Sequence, residues 1–331
     1  LDHAFNNKRV SCLVNPRACH ETELVYVKTS KAKRIAVVGA GPAGLSAATV
    51  AAERGHYVTL FDASSEIGGQ FNIAKQIPGK EEFYETIRYF GRQLELKGVT
   101  VKLNQRVSRA DLEAQGFDEV IVATGIAPRK PPIKGIEHAK VLSYLDVLRD
   151  KKPVGQRVAV IGAGGIGFDL SEFLLHDASI SLPVTKEAWY AEWGVDVQAK
   201  VEGGLIAPEH KAPLRQIYLL QRKESKVGAG LGKTSGWVHR AVMQKNNVAM
   251  MSGVEYREIN DDGLLIAING KEQLLAVDNV VICAGQESLR ELMPKEGEST
   301  RANYHQIGGV ALASELDAKR AIREGAELAA R

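Results

Sequence analysis

The chain has 331 residues, 44% of them hydrophobic and 25% charged, with a formal net charge of +3. That length predicts roughly two domains at about 150 residues each, and the apolar content suffices for two buried cores. The small net charge argues against a nucleic-acid partner, and three cysteines build no disulfide framework, so a reducing, cytoplasmic setting is expected.

Leu1 is not an initiator methionine, so the chain is expected to be part of a longer polypeptide. Residues 1–30 carry Cys12 and Cys19 without clean periodicity, and Lys28, Lys31, Lys33 and Arg34 read as a solvated linker. From residue 34 onward strand and helix patterns alternate. A strand at 35–38 runs into Gly39-Ala-Gly41-Pro-Ala-Gly44 and a helix that continues to Arg54. A second strand covers Val58–Asp62, followed by a helix across 81–97, a short strand at 99–103 and an apolar strand at 119–123. Residues 35–52 are uncharged and nearly long enough for a membrane span of about 20 residues. The glycines and Pro42 inside that stretch make it strand, turn and buried helix instead, and no membrane partner is expected.

Pro128, Pro131, Pro132 and Pro153 punctuate the crossing into a second unit, from about 155 to 275. There Val158-Ala-Val-Ile leads into Gly162-Ala-Gly164-Gly-Ile-Gly167, and the next strand, Ile217–Gln221, follows an unusual insertion at 177–213. The chain returns to a strand at 280–283 and closes on a helix across 314–329.

One G-x-G-x-x-G is weak evidence, but two, each after a four-residue apolar run and each opening an apolar helix, share one physical logic. The first glycine makes the tight turn, the second admits a pyrophosphate to the backbone N–H groups, and the third lets helix pack on strand. The phosphates then meet the positive end of the helix dipole. Two such turns imply two dinucleotides and electron transfer between them. Asp62 ends the strand after the first fingerprint, where an acid holds an adenosine ribose. At the matching place in the second unit stand Gln221-Arg222-Lys223. Arg222 and Lys223 would pair with a 2′-phosphate, so NADP is expected there. Val227-Gly-Ala-Gly-Leu-Gly232-Lys233-Thr234 imitates an ATPase phosphate loop, but Val227 occupies the required glycine position. That loop is expected to lie near the NADP phosphates, with Lys233 contributing charge.

Three stretches carry a resemblance to a known family: Asp62 through Phe83, Ser143-Tyr-Leu-Asp-Val-Leu148, and Leu231-Gly-Lys-Thr-Ser-Gly-Trp-Val-His239-Arg. They resemble the bacterial NADPH-dependent 2,4-dienoyl-CoA reductases, within the wider group that includes trimethylamine dehydrogenase. Similarity extends from Ser11-Cys12-Leu-Val-Asn-Pro16 to the end. It implies a parent enzyme with an FMN-binding barrel, a four-iron, four-sulfur cluster, and an FAD and NADPH module to which this chain corresponds. The implied fold is α/β, two Rossmann-like dinucleotide-binding domains with the NADP domain inserted into the FAD domain. The implied boundaries are 1–30 for the cluster edge and linker, 31–152 and 276–331 for FAD, and 153–275 for NADP.

By the same resemblance, Gly39, Gly41, Gly44, Asp62, Gly68, Gly69, Gln70, Gly125, Gly308 and Gly309 bind FAD. Gly308-Gly309 match the family's last flavin motif, where the closing helix is implied to point its N-terminus at the flavin ring. Gly162, Gly164, Gly167, Arg222, Lys223 and Lys233 bind NADP. The family's aspartate two residues after Gly309 is Ala311 here, a loss worth about 1 kcal/mol of cofactor binding. Asp169 stands where flavin reductases carry an acid near the nicotinamide; a first-turn acid favoured by the helix dipole is the alternative.

Cys12 matches the fourth cluster ligand, and the three cysteines of this chain cannot complete a four-thiolate site. Cys283 reads as a small core residue, and the lack of any C-x-x-C or C-x4-C pair opposes disulfide chemistry. His20 and His239 read as structural or solvated. The expected activity is hydride transfer from NADPH to FAD. 2,4-Dienoyl-CoA would be reached only through the missing FMN barrel, which is the implied partner. A non-catalytic nucleotide-binding or docking module, or the NADPH-oxidising subunit type of glutamate synthase, are the rival readings.

Overall fold

The computed structural model describes residues 2–176, 185–209, 211–314 and 317–331. In chain order the elements are α1 (Asp2–Phe5), β1 (Arg34–Val38), α2 (Pro42–Glu53), β2 (Tyr57–Phe61), α3 (Phe71–Ala74), α4 (Phe83–Leu96), β3 (Thr100–Lys102), α5 (Arg109–Gln115), β4 (Glu119–Val122) and β5 (Ile126–Pro128). Next come β6 (Val141–Ser143), α6 (Tyr144–Leu148), β7 (Arg157–Ile161), α7 (Gly165–Leu175), α8 (Lys186–Trp193), β8 (Gln216–Leu220), α9 (Gly236–Lys245) and β9 (Ala249–Met251). The chain ends through β10 (Val254–Asn260), β11 (Gly263–Ile268), β12 (Lys271–Leu275), β13 (Asn279–Ile282), β14 (Gln286–Ser288), β15 (Asn303–Gln306) and α10 (Ala318–Ala329).

Two compact units result. The first comprises 1–75, 82–129 and 285–331, and the second 76–81 and 130–284. In the first, a parallel sheet runs in the order β15-β4-β1-β2-β3. Its fingerprint strand lies at the centre, and every residue of β1 after Arg34 is buried, as continuous apolar runs demand in a sheet covered on both faces. Helix α2 is apolar all round and buried from Ala43 to Ala51, whereas α10 buries only the stripe Ala321, Ile322, Gly325, Ala326 and Ala329. Gly325 allows α10 to approach closely, since a Cβ there would lie 2.3 Å from Ala43 O. The second unit repeats the plan with a parallel sheet in the order β6-β13-β7-β8-β9. It adds an antiparallel meander, β10-β11-β12, whose apolar face shares a core with Ile161, Leu220 and Val280.

Several expectations are corrected. Residues 130–152 and 276–284 belong to the second unit, because β6 pairs with β13 at Val280↔Val141 and β13 pairs with β7. The strand at 280–283 therefore completes the second sheet and does not return to the first. Residues 2–30 are not separate; they belong to the first unit, where Arg54 donates to Val27 O and Thr29 N–H to Arg54 O. The closing helix begins at Ala318, not 314, where the Asp317 side chain caps Arg320 N–H at 2.6 Å. Of the 177–213 insertion, 177–184 and 210 lie outside the described residues; the remainder contains α8, capped by Thr185 and ended by left-handed Gly194.

Helix α6 opens on a reciprocal capping box in which Ser143 accepts from Asp146 N–H and Asp146 accepts from Ser143 N–H. Burial opposes ionisation of Asp146, but hydrogen bonds from Lys152 and Ser143 outweigh it and bring the carboxyl down to about 2. A carboxyl with a depressed folded-state pKa contributes stability above its unfolded value, and that stability is lost as pH falls through the folded one. Asp146→Asn is expected to cost about 1–2 kcal/mol at pH 7. The variant should converge on wild type as urea unfolding is repeated from about pH 4 down to about pH 2; a gap unchanged across that window would refute this role.

Candidate functional site

The first fingerprint is built by backbone meeting backbone. Gly39 has φ +112°, and a Cβ there would lie 2.3 Å from Ala123 O, so the turn after β1 requires glycine. At Gly44 a Cβ would fall 1.8 Å from Gly39 O, which places the first turn of α2 directly on the end of β1. Gly41 differs: nothing lies within 4 Å of its Cβ position, and its φ of −80° suits any residue. Open space beside the helix N-terminus is where a pyrophosphate would fit.

Of the other residues assigned to FAD, Asp62, Gly68, Gly69 and Gly308 meet this turn. Asp62 Oδ2 accepts from Ala40 N–H at 2.6 Å and Oδ1 from Ser64 N–H at 2.7 Å. Each oxygen keeps a lone pair for a ribose hydroxyl. Gly68 N–H donates to Ala40 O, and Gly69, at φ +52°, brings its Cβ position within 2.9 Å of Gly41 Cα. Gln70 opens α3 just beyond. Gly125, at φ +81°, follows the Ala123-Thr124 strand end, and Thr124 Oγ donates to Leu289 O at 2.8 Å. Gly308, at φ +62°, abuts Ala43: a Cβ on it would lie 2.9 Å from Ala43 Cβ. Gly308–Val310 form a short 3-10 turn ahead of the closing helix, which starts at Ala318.

The second unit reproduces the construction. Gly162 has φ +112° with its Cβ position 2.5 Å from Cys283 O, Gly167 meets Gly162 O at 1.8 Å, and Gly164 and Gly165 face open space. Arg222 and Lys223 are exposed just beyond β8. Gly253 N–H and Val254 N–H hold that segment through Lys223 O and Gln221 O, both at 3.0 Å. Burial pushes the Tyr256 phenol up, and the Arg222 charge pulls it back. The loop carrying Lys233 packs on α7 through Gly228, whose Cβ position lies 2.8 Å from the Phe168 ring, and Arg240 donates to Gly228 O. The residues present therefore fit two dinucleotides.

Asp169 is corrected as a first-turn acid: it lies in the second turn of α7, and its partner is a side chain. Lys80 Nζ donates to both of its oxygens, at 2.7 and 2.6 Å, within the second unit. Lys80 was not foreseen, because residues 76–81 read as the approach to a helix of the first domain. His239 Nδ1 approaches Glu172 at 3.4 Å, and His20 joins Glu23 and Arg9 at 2.8 Å, so both histidines have structural partners. Cys12 and Cys19 are exposed free thiols, while the Cys283 thiol is pushed up by burial and then by the Asp169 charge. Among the described residues no group of three or more His, Cys, Asp or Glu side chains could hold a metal ion. No described helix is long and apolar enough to cross a membrane.

A family model for pyridine nucleotide-disulphide oxidoreductases matches residues 33–316. The chain belongs to this family. It consists of Rossmann-like α/β domains, and its family is one of flavin-dependent oxidoreductases that bind FAD and NAD(P)H. It is 29% identical over 296 residues to a metal reductase of Desulforamulus reducens, covering 88% of this chain and 43% of that protein. It is 30% identical over 288 residues to a cinnamate reductase of Clostridium sporogenes, covering 87% and 38%. The chain spans less than half the length of these relatives. A 2-naphthoyl-CoA reductase bound to 2-naphthoyl-CoA superposes with a TM-score of 0.82 at 27% identity, over 99% of this chain and 44% of that one. Thioredoxin reductase of T. acidophilum, at 16% identity and TM-score 0.59 over 90% of this chain and 97% of that one, shares the fold.

The glycines separate into two experimental classes. Gly44→Ala and Gly167→Ala place a methyl on a carbonyl oxygen and should cost about 3 kcal/mol or more. Gly41→Ala and Gly164→Ala should change apoprotein stability by less than about 1 kcal/mol, while weakening nucleotide binding. Urea unfolding of the four apoproteins checks this; a Gly41→Ala protein as unstable as Gly44→Ala would contradict it.

Proposed function

We propose that this chain is the FAD and NADPH module of a reductase resembling the 2,4-dienoyl-CoA reductases. FAD occupies the Gly39–Gly44 turn, Asp62 and the Gly68-Gly69 loop, and NADPH the Gly162–Gly167 turn with its 2′-phosphate on Arg222 and Lys223. The observation that carries this reading is the pair of glycine turns, geometrically alike, in one chain, with a carboxylate beyond one and two cations beyond the other. When bound, FAD supplies the acceptor for a hydride from NADPH and can pass electrons on singly.

This chain's residues bind and orient. The helix N-termini stabilise phosphate charge, the Arg222-Lys223 pair selects the phosphorylated dinucleotide, and Lys80 fixes the direction of Asp169. Cinnamate and 2-naphthoyl-CoA, the compounds named for two similar reductases, support a conjugated acyl substrate reduced elsewhere in the longer protein. An FMN barrel and an iron–sulfur cluster using Cys12 belong, in this reading, to that remainder. A non-catalytic docking module is the second reading, favoured by Ala311, whose methyl offers no hydrogen bond to a cofactor.

Reconstitution with excess FAD should give a yellow protein whose visible bands bleach anaerobically with NADPH; a colourless or unresponsive protein would eliminate the activity. Replacing Arg222 and Lys223 together by alanine should raise the NADPH concentration for half-maximal reduction about tenfold to hundredfold. The NADH requirement should stay unchanged, and equal losses for both nucleotides would remove these residues from phosphate recognition.

A further inference from the structure

Residues Gly308-Gly309-Val310-Ala311 carry no side-chain atom able to hydrogen bond, yet they form a largely buried turn beyond β15. Buried peptide groups require partners, and a Gly-Gly pair has wide conformational freedom, so the turn must be held from outside. Two sets of side chains hold it. Near β14, Ser288 Oγ donates to Gly309 O at 2.5 Å, while Arg290 donates from Nε to Val310 O at 2.8 Å and from Nη2 to Ala311 O at 2.7 Å. From α10, Arg320 Nη2 donates to Leu312 O at 2.6 Å and to Ser314 O at 3.2 Å, and Glu324 Oε2 accepts from Gly308 N–H at 2.6 Å. The turn in turn abuts Ala43, between Gly41 and Gly44 of the first fingerprint.

We propose that Arg290 is a positioning residue for the FAD site, acting through the main chain of this turn; the inference rests on the FAD reading above. One guanidinium spans two successive carbonyls in a planar fork that does not lose its charge, and so sets where residues 310 and 311 lie. Arg290 is exposed and Ala311 half-buried, so the Ala311 carbonyl can reach water when Arg290 is removed, while Val310 is buried and its carbonyl loses its partner. Its loss therefore loosens the turn beside Ala43 without opening a core.

The test is fluorescence titration of FAD into apoprotein for wild type, Arg290→Ala and Arg290→Lys, each paired with an apoprotein thermal melt. Arg290→Ala is expected to weaken FAD binding about tenfold or more with the apoprotein melting point retained, since two charge-assisted bonds to the turn disappear. Arg290→Lys is expected to recover part of that affinity, because one ammonium can serve one carbonyl. Wild-type affinity in Arg290→Ala, or an affinity loss accompanied by a matching fall in apoprotein stability, overturns the proposal. If Arg290→Ala does not fold, Arg290→Lys decides: a loss of about fivefold supports the role and an unchanged affinity overturns it. A wild-type apoprotein that takes up no FAD removes the cofactor reading itself, which separates the two failures.

Discussion

The architecture of both units depends on one contact, a helical glycine lying on the carbonyl oxygen of a turn glycine. Gly44 on Gly39 and Gly167 on Gly162 leave no room for a methyl group. That absence draws each helix onto the end of its strand. The remaining features follow from the close approach. The helix N-terminus, with its unsatisfied N–H groups and positive dipole end, comes to the mouth of the sheet, and Gly41 and Gly164 are left facing open space.

Around this shared construction the units diverge in charge. In the first, Asp62 is organised by Ala40 N–H and Ser64 N–H and presents a fixed negative group. In the second, the strand end carries cations, and the backbone of that segment is tied to the start of the antiparallel meander through Gly253 and Val254. A carboxylate repels a phosphate and a guanidinium pairs with one; under the proposed function, selectivity between dinucleotides resides in residues that contribute little to either core. Asp169 shows the same economy: its partner Lys80 lies far away in sequence, in a segment that joins the second unit between stretches belonging to the first.

Arg54 illustrates how the first unit binds its chain ends. Its guanidinium donates to Val27 O, Ala329 O and Arg331 O, joining the segment that carries Cys12 to the end of α10. The turn at 308–311 is held by the same means, with cationic side chains taking carbonyl oxygens where the local residues have nothing to offer. In both places a flexible stretch is fixed by long side chains from ordered elements, at modest cost in buried charge because the guanidinium groups remain partly hydrated.

The fingerprints, Asp62, the Arg222-Lys223 pair and the central strands were legible from local residues, because a four-residue apolar run followed by spaced glycines carries its geometry within about ten residues. The antiparallel meander carries a local sign: Asn269-Gly270, both at positive φ, form the two-residue turn between β11 and β12. Three features had no local sign. The pairing of β6 with β13, the grip of Lys80 on Asp169, and the clamp of Arg290 on the 308–311 turn join residues distant in sequence. Periodicity reports only which face of an element is apolar. The neighbour that meets that face, or the carbonyl that a long side chain reaches, is chosen when the sheets assemble, and so was decided by the tertiary structure alone.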